Sequence, residues 1–388
     1  MDARRELSPA GASLGDARHA LRTVKRMVIK IGSSLITSAE TGVDPARIDA
    51  VAGEIARIRA GREIVLVTSG AIAAGVARLA LSERPRSIPE KQAAAAVGQS
   101  ALMWHYEAAF KRHGIAVGQV LLTAQDIGDR ARYLNARNTL LALLRFDVVP
   151  VVNENDTVAV EEIKVGDNDN LSALVASLIE ADLLVLLTDV DGLYVDDPVR
   201  NPGARKIDTV GAVTTEIEAL VWTRGSESGV GGMATKLQAA QKAAAAGIPM
   251  VIASGREGGT LSRALAGEAV GTYFAPRADR LTARKRWIAF AVPPQGRLTV
   301  DAGALSALTH HGRSLLPSGL VSVDGEFAAG DVVALLGVGG GKEFARGLVN
   351  FDADELRRLQ GARTLEIEAR LGYKAVDEVI HRDNLVIL

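Results

Sequence analysis

From Asp147 to Tyr194 the chain reads DVVPVVNENDTVAVEEIKVGDNDNLSALVASLIEADLLVLLTDVDGLY, and no other stretch limits the fold as strongly. Two apolar runs, Val148 to Val152 and Leu183 to Leu187, are short, rich in branched side chains and free of polar alternation. Strands covered on both faces have that pattern, so each run suits the interior of a parallel sheet. Both break into polar residues at their carboxyl ends, Asn153-Glu154-Asn155-Asp156 after the first and Thr188-Asp189 after the second. Open α/β sheets hold their ligands at that edge. Between the strands, Gly166-Asp167-Asn168-Asp169-Asn170 leads into LSALVASLIEA, whose apolar spacing predicts a helix capped by Asn170 or Asp169. Carboxylates, amides and a helix N-terminus thus converge on one rim. Taken singly, each Asp or Asn is explained equally well as solvated loop or capping chemistry.

The remainder of the first 275 residues keeps an alternating rhythm. Met27-Val28-Ile29-Lys30-Ile31 predicts a strand running into Gly32-Ser33-Ser34. Lys30 sits inside that strand and alternates away from its apolar neighbours, an unusual place for a lysine that has no partner. An amphipathic helix follows from Pro45 to Ala60, then a strand over Glu63 to Val67 that ends in Thr68-Ser69-Gly70-Ala71. A Ser-Gly turn between strand and helix can turn backbone N–H groups toward an anion. Helix is expected from Lys91 to His113, strand from Ile115 to Leu122 and helix from Asn135 to Leu144. Beyond Tyr194 a loop or short hairpin reaches Ile207, and a helix is expected near Thr214 to Trp222. The glycine-rich segment Arg224 to Gly232 should be mobile, and it feeds a helix from Met233 to Ala246 that carries Lys236 in its opening turns. Amides and an ammonium so arranged hold phosphate oxygens.

With 388 residues, 48% of them hydrophobic, the chain has enough core for two domains. A formal charge of -1 argues against a globally electrostatic nucleic-acid or membrane binder. The absence of cysteine excludes thiolate zinc sites and a disulfide framework, and it fits a reducing cytosol. Residues 1–26 lack an apolar signal core and are expected to be a flexible extension. Past Gly271 the alternation stops; residues 276–295 look like a linker, and residues 296–388 offer short β-like runs that predict a small β-rich domain. Two motifs mislead. Gly229, Gly231 and Ala234 have dinucleotide-fingerprint spacing with no strand leading into them, and Gly337 to Glu343 imitates a P-loop without its first glycine or its magnesium hydroxyl.

The blocks VIKIGSSLIT, VTSGAIAAG, AAVGQS, LNARNTL, VVNENDTV, KVGDNDNLSALVA, LLTDVDGLY and GGMATKLQAA, in that order, resemble the glutamate 5-kinase family within the amino-acid kinase superfamily. The tail resembles a PUA domain. The resemblance implies a three-layer α/β sandwich around a mostly parallel sheet over residues 27–275, followed by the PUA-like domain. It further implies ATP- and magnesium-dependent phosphorylation of the side-chain carboxylate of L-glutamate, the first step of proline synthesis, with feedback inhibition by proline. Phosphoryl transfer depends on positioning and charge neutralisation, so cationic groups are the expected catalysts. In the family's terms Lys30 and Lys236 stabilise the transferring group and Asp169 orients them. Substrate contacts fall to Ser69, Asp156 and Asn168; Asp156, at its strand end, is well placed for the α-ammonium, a bond worth about 1.5–3 kcal/mol.

For nucleotide the resemblance points to Lys30, Thr188, Asp189 and the run Val230, Gly231, Gly232, Met233, Ala234, Thr235 and Lys236. Val230 and Ala234 replace residues that often carry hydroxyls in the family, which leaves backbone contacts to do that work. No protein metal cage is evident, in keeping with magnesium carried on ATP. A homo-oligomer, hand-over of the product to a reductase, a cytoplasmic setting and no membrane attachment are further implications. PUA domains resemble RNA-binding modules, yet residues 296–388 hold 10 Lys and Arg against 13 Asp and Glu, a net of 10 - 13 = -3, which favours a structural or regulatory tail. The competing readings are an amino-acid kinase for another acid and an RNA-associated PUA protein with a degenerate kinase domain.

Overall fold

The structure is a computed structural model that describes residues 14–38, 42–83, 85–159, 168–198, 200–220, 232–277, 281–374 and 376–388. Contacts divide the chain into two compact units, Met1–Arg280 and Leu281–Leu388.

Among the described residues the first unit holds ten strands: β1 (Arg26–Ile31), β2 (Glu63–Val67), β3 (Val117–Leu122), β4 (Val149–Glu154), β5 (Leu183–Thr188), β6 (Leu193–Tyr194), β7 (Lys206–Ile207), β8 (Thr209–Val210), β9 (Met250–Ser254) and β10 (Thr272–Phe274). Eight form one sheet in the order β3-β4-β2-β1-β5-β9-β10-β8, while β6 and β7 pair as a small hairpin. Every pairing from β3 to β9 is parallel, and β10 runs antiparallel to β9. The run read as Val148 to Val152 is β4 and the run Leu183 to Leu187 is β5, each extended into its polar end. All six residues of β5 are buried, as continuous apolar sequence in a central parallel strand requires.

Side-chain alternation along β1 decides what reaches the rim. Met27, Ile29 and Ile31 join a core with Ile48, Val51 and Ile55 of the helix Pro45–Ile58 and with Leu102, Tyr106 and Phe110 of the helix Ile88–Lys111. Val28 and Lys30 consequently face the other side of the sheet, where the helix Asn168–Leu178 packs. The chain leaves β1 toward β2 on one side and β5 toward β9 on the other, so the sheet's topological switch point lies between β1 and β5. Ligands of open α/β sheets bind at such a crevice.

Two expectations for the first unit need correction. The extension expected to be flexible to residue 26 is helical from Leu14 to His19, with a further turn at Ala20–Thr23. Arg18 holds it down: its guanidinium donates to the carbonyls of Asp208 (2.7 Å), Val270 (2.9 Å), Glu268 (3.0 Å) and Gly271 (3.2 Å). An arginine-rich segment reads as solvated tail until four carbonyls at a strand edge happen to face one guanidinium. The helix expected to be capped by Asn170 or Asp169 already includes Asn168, so both residues lie in its first turn instead.

The second unit carries a five-stranded sheet of β11 (Gly296–Val300), β12 (Leu320–Gly325), β13 (Val332–Gly337), β14 (Ala345–Leu348) and β15 (Leu385–Ile387), in the order β12-β11-β13-β14-β15. The P-loop imitation falls between β13 and β14, with Gly339 and Gly340 at positive φ, a turn and not a phosphate cradle. Residues 276–295 are more than linker: Ala283–Arg286 and Trp287–Ala291 are helical, and Ile288 and Ala289 pack on Val332 and Val386. Arg346 fastens that turn by donating to the carbonyl of Ala289 at 2.9 Å.

Candidate active site

Lys30 leaves β1 toward the helix Asn168–Leu178 and places its Nζ 2.5 Å from Oδ1 of Asp169. From the other side of the switch point, Lys236, in the first turns of the helix Met233–Ala245, sets its Nζ 3.1 Å from Oδ2 of the same carboxylate. The Thr235 hydroxyl donates to that oxygen too, at 3.0 Å. All three ionic side chains are buried, Asp169 completely. Burial alone raises a carboxyl's pKa; here the ammonium groups of Lys30 and Lys236 outweigh it and hold Asp169 well below the usual carboxylate range. The centre is a net single positive charge in a dry setting, made of one anion and two cations.

Asn168, one residue earlier, faces the β2 side of the rim. Its Nδ2 lies within hydrogen-bonding distance of three acceptors that share its two hydrogens: the Thr68 carbonyl (2.7 Å), the Ser69 hydroxyl (2.8 Å) and Oδ1 of Asn153 (2.9 Å). Ser69 is presented by a turn in which Gly70 takes φ 99°, a left-handed conformation, and where a Cβ would sit 2.8 Å from Thr37 Cγ2. Glycine is needed there on both counts. Beneath the turn, the buried Tyr106 hydroxyl and Thr68 Oγ1 are hydrogen-bonded at 2.8 Å.

The β5 side offers Thr188, buried at the strand end, whose hydroxyl donates to Asp189 at 3.0 Å, while Asp189 itself is exposed. Gly232 precedes the helix Met233–Ala245 in an extended conformation, and its carbonyl, 2.9 Å from the Thr235 hydroxyl, shares that one hydrogen with Asp169. Asn170 ties the helix Asn168–Leu178 to the helix Met233–Ala245: it accepts from Lys242 Nζ at 2.7 Å and donates to Gln238 at 3.1 Å.

Two sequence profiles match the chain, the amino acid kinase family over residues 25–254 and the PUA domain over residues 296–371. The chain belongs to the amino acid kinase family. A "Glutamate 5-kinase" from Moorella thermoacetica is 52% identical over 374 residues, covering 96% of this chain and 99% of that protein. Another of that name from Myxococcus xanthus is 52% identical over 377 residues, covering 97% and 100%. Among solved structures, a carbamate kinase from Giardia lamblia bound to AMP-PNP aligns with TM-score 0.47 and 20% identity, covering 66% of this chain and 99% of that one.

Placed on this family's fold, the residues singled out from sequence separate into groups. Lys30, Asp169 and Lys236 meet. Ser69 and Asn168 meet, one residue away from that centre. Thr188, Asp189, Gly232, Met233, Ala234 and Thr235 occupy the β5 side of the crevice by their positions on β5 and on the helix start. Asp156 lies half-buried in the turn after β4, on the same rim. Val230 and Gly231, and the glycine-rich segment before Gly232, lie outside the described residues. Sequence reading gave no role at the site to Gln99, Asn153 or Tyr106, and it gave Asn170 only a capping role. Asn153 stood in the polar end of β4 and was visible only as rim, whereas Gln99 and Tyr106 come from a helix whose mixed surface gives no hint which face meets the turn.

Proposed function

We propose that this chain transfers the γ-phosphoryl group of ATP to the side-chain carboxylate of L-glutamate, giving L-glutamyl 5-phosphate and ADP. The observation that carries this is the pair of lysines from opposite sides of the switch point sharing one buried aspartate. In the step, a carboxylate oxygen of glutamate forms a bond to the γ-phosphorus as the bond to the β,γ-bridging oxygen breaks. The acceptor is already ionised, so no general base is required. What the protein must supply is alignment and positive charge around a transferring group that bears three equatorial oxygens.

Lys30 and Lys236 supply that charge, and Asp169 fixes where their nitrogens sit without neutralising both. Ser69 and Asn168 hold the acceptor, with Asp156 as partner for its ammonium. The Thr188-Asp189 end of β5 and the amides from Gly232 to Lys236 take the nucleotide. Magnesium fits as an ion brought on the ATP phosphates, where it shields their charge. Asp169 already receives two ammonium groups and a hydroxyl, and this leaves it poorly suited to ligate a metal. Relatives named glutamate 5-kinase, about half identical along nearly the whole chain, support the choice of acceptor. The reading includes a cytoplasmic homo-oligomer inhibited by proline that passes its acyl phosphate to a reductase. No helix among the described residues is long and apolar enough to cross a membrane.

The test is ADP release by the full chain with magnesium-ATP across a panel of amino acids, with hydroxylamine trapping of the acyl phosphate. Hydroxamate should form with L-glutamate and hardly at all with L-aspartate or N-acetyl-L-glutamate. Hydroxamate from either of those, with none from L-glutamate, would replace glutamate as the acceptor.

A further inference from the structure

Beside the lysine centre, three side-chain amides run in series, and backbone groups at known points settle which way each faces. The Glu154 N–H, which can only donate, reaches Asn153 Oδ1 at 2.9 Å. Asn153 must therefore turn its Nδ2 toward Gln99, and it donates to Gln99 Oε1 at 2.7 Å. At the other end the Thr68 carbonyl, which can only accept, takes Asn168 Nδ2 at 2.7 Å. Exchanging N for O in any of the three would set like against like. The series thus ends on two atoms of definite polarity: Gln99 Nε2, a donor, and Asn168 Oδ1, an acceptor, each screened from solvent and each lacking a hydrogen-bond partner among the described residues. Unsatisfied buried amide atoms are rare and call for a reason.

A ligand that offers an acceptor at one end and a donor near it, as a zwitterionic amino acid does, supplies that reason. Order along the series assigns the ends. Asn168 adjoins Asp169 and so lies next to the phosphoryl centre, while Gln99 lies two amides further away, beside the part of the acceptor that does not react. The backbone at Gln99 is fixed as well. Its neighbour Gly98 is packed so closely on the turn-bearing helix that a Cβ there would lie 1.8 Å from the Ala71 carbonyl oxygen. Resting on the glutamate reading above, we propose that Gln99 is a substrate-recognition residue whose amide N–H donates to the α-carboxylate of the acceptor amino acid.

Steady-state kinetics of the full-length Gln99→Met variant, with L-glutamate and with its α-amide (isoglutamine), tests this. Loss of a hydrogen bond to a charged group should raise KM for L-glutamate about tenfold to a hundredfold. KM for magnesium-ATP should stay within about twofold, and the wild-type preference for L-glutamate over the α-amide should shrink by the same factor as KM rises. Gln99→Glu, nearly isosteric and polar, guards against a folding defect in the methionine variant; its carboxylate opposes the substrate's, so KM for L-glutamate should rise at least as far. An unchanged KM for L-glutamate in either folded variant, or an equal rise in both substrates' KM values, overturns the proposal while leaving the glutamate reading intact. Absence of wild-type turnover with L-glutamate removes the glutamate reading, and the role of Gln99 with it.

Discussion

Asp169 is fully buried and ionised, a combination that survives only with partners. Its two lysines hold its pKa down, so its contribution to stability is present in full above the unfolded carboxyl value, near 4, and is lost as pH falls through the native value. Asp169→Asn would leave two ammonium groups facing each other in a dry site, a change that typically costs about 3–5 kcal/mol. The wild type and Asp169→Asn should therefore differ by about that much in urea unfolding at pH 7, and the gap should narrow below about pH 4. A gap that stays constant down to pH 2 would mean that the carboxylate is not held by charge. The buried lysine of β1 was legible in the sequence as an anomaly seeking a partner. Which anion it had found was not, because 139 positions separate Lys30 from Asp169 and only the crossover of the sheet brings them together.

Among elements, the Ser69 turn depends on two helices in near contact. In Ala71–Arg78, Gly75 would place a Cβ 1.8 Å from the Ala94 carbonyl oxygen, and in Ile88–Lys111, Gly98 would do the same to Ala71. Two effects oppose each other in Gly98→Ala. Helix propensity favours alanine by about 1 kcal/mol, while forcing a methyl group against backbone costs about 1–3 kcal/mol. The rigid partner decides it: a carbonyl cannot swing aside as a side-chain tip can. Gly98→Ala should lower the thermal midpoint and raise KM for L-glutamate, and a variant more stable than wild type with unchanged KM would show that the helices do not bear on the turn. Elements whose identity lies in local pattern were legible: β4 and β5 by unbroken apolar runs, the helix Met233–Ala245 by its glycine lead-in. Those set by distant partners were not. The three-residue strand β15 needs β14 to exist, and the helical turn Trp287–Ala291, hidden in what reads as linker, is held by Arg346 from β14.

Across the first unit, the sheet order explains how one carboxylate meets lysines from two sides. Strands that leave the centre through β2 and β4 carry Asn153 and the Ser69 turn; strands that leave it through β5 and β9 carry Thr188 and adjoin the helix Met233–Ala245. The two sets adjoin at the switch point between β1 and β5, and Lys30, Asp169 and Lys236 span it. The most direct test is the turnover number of full-length Lys236→Met with L-glutamate and magnesium-ATP, followed as trapped hydroxamate, with unfolding monitored to verify that the variant is folded. Loss of one preorganised cationic group should lower kcat about a hundredfold or more. A folded Lys236→Met variant that retains wild-type kcat would contradict the account.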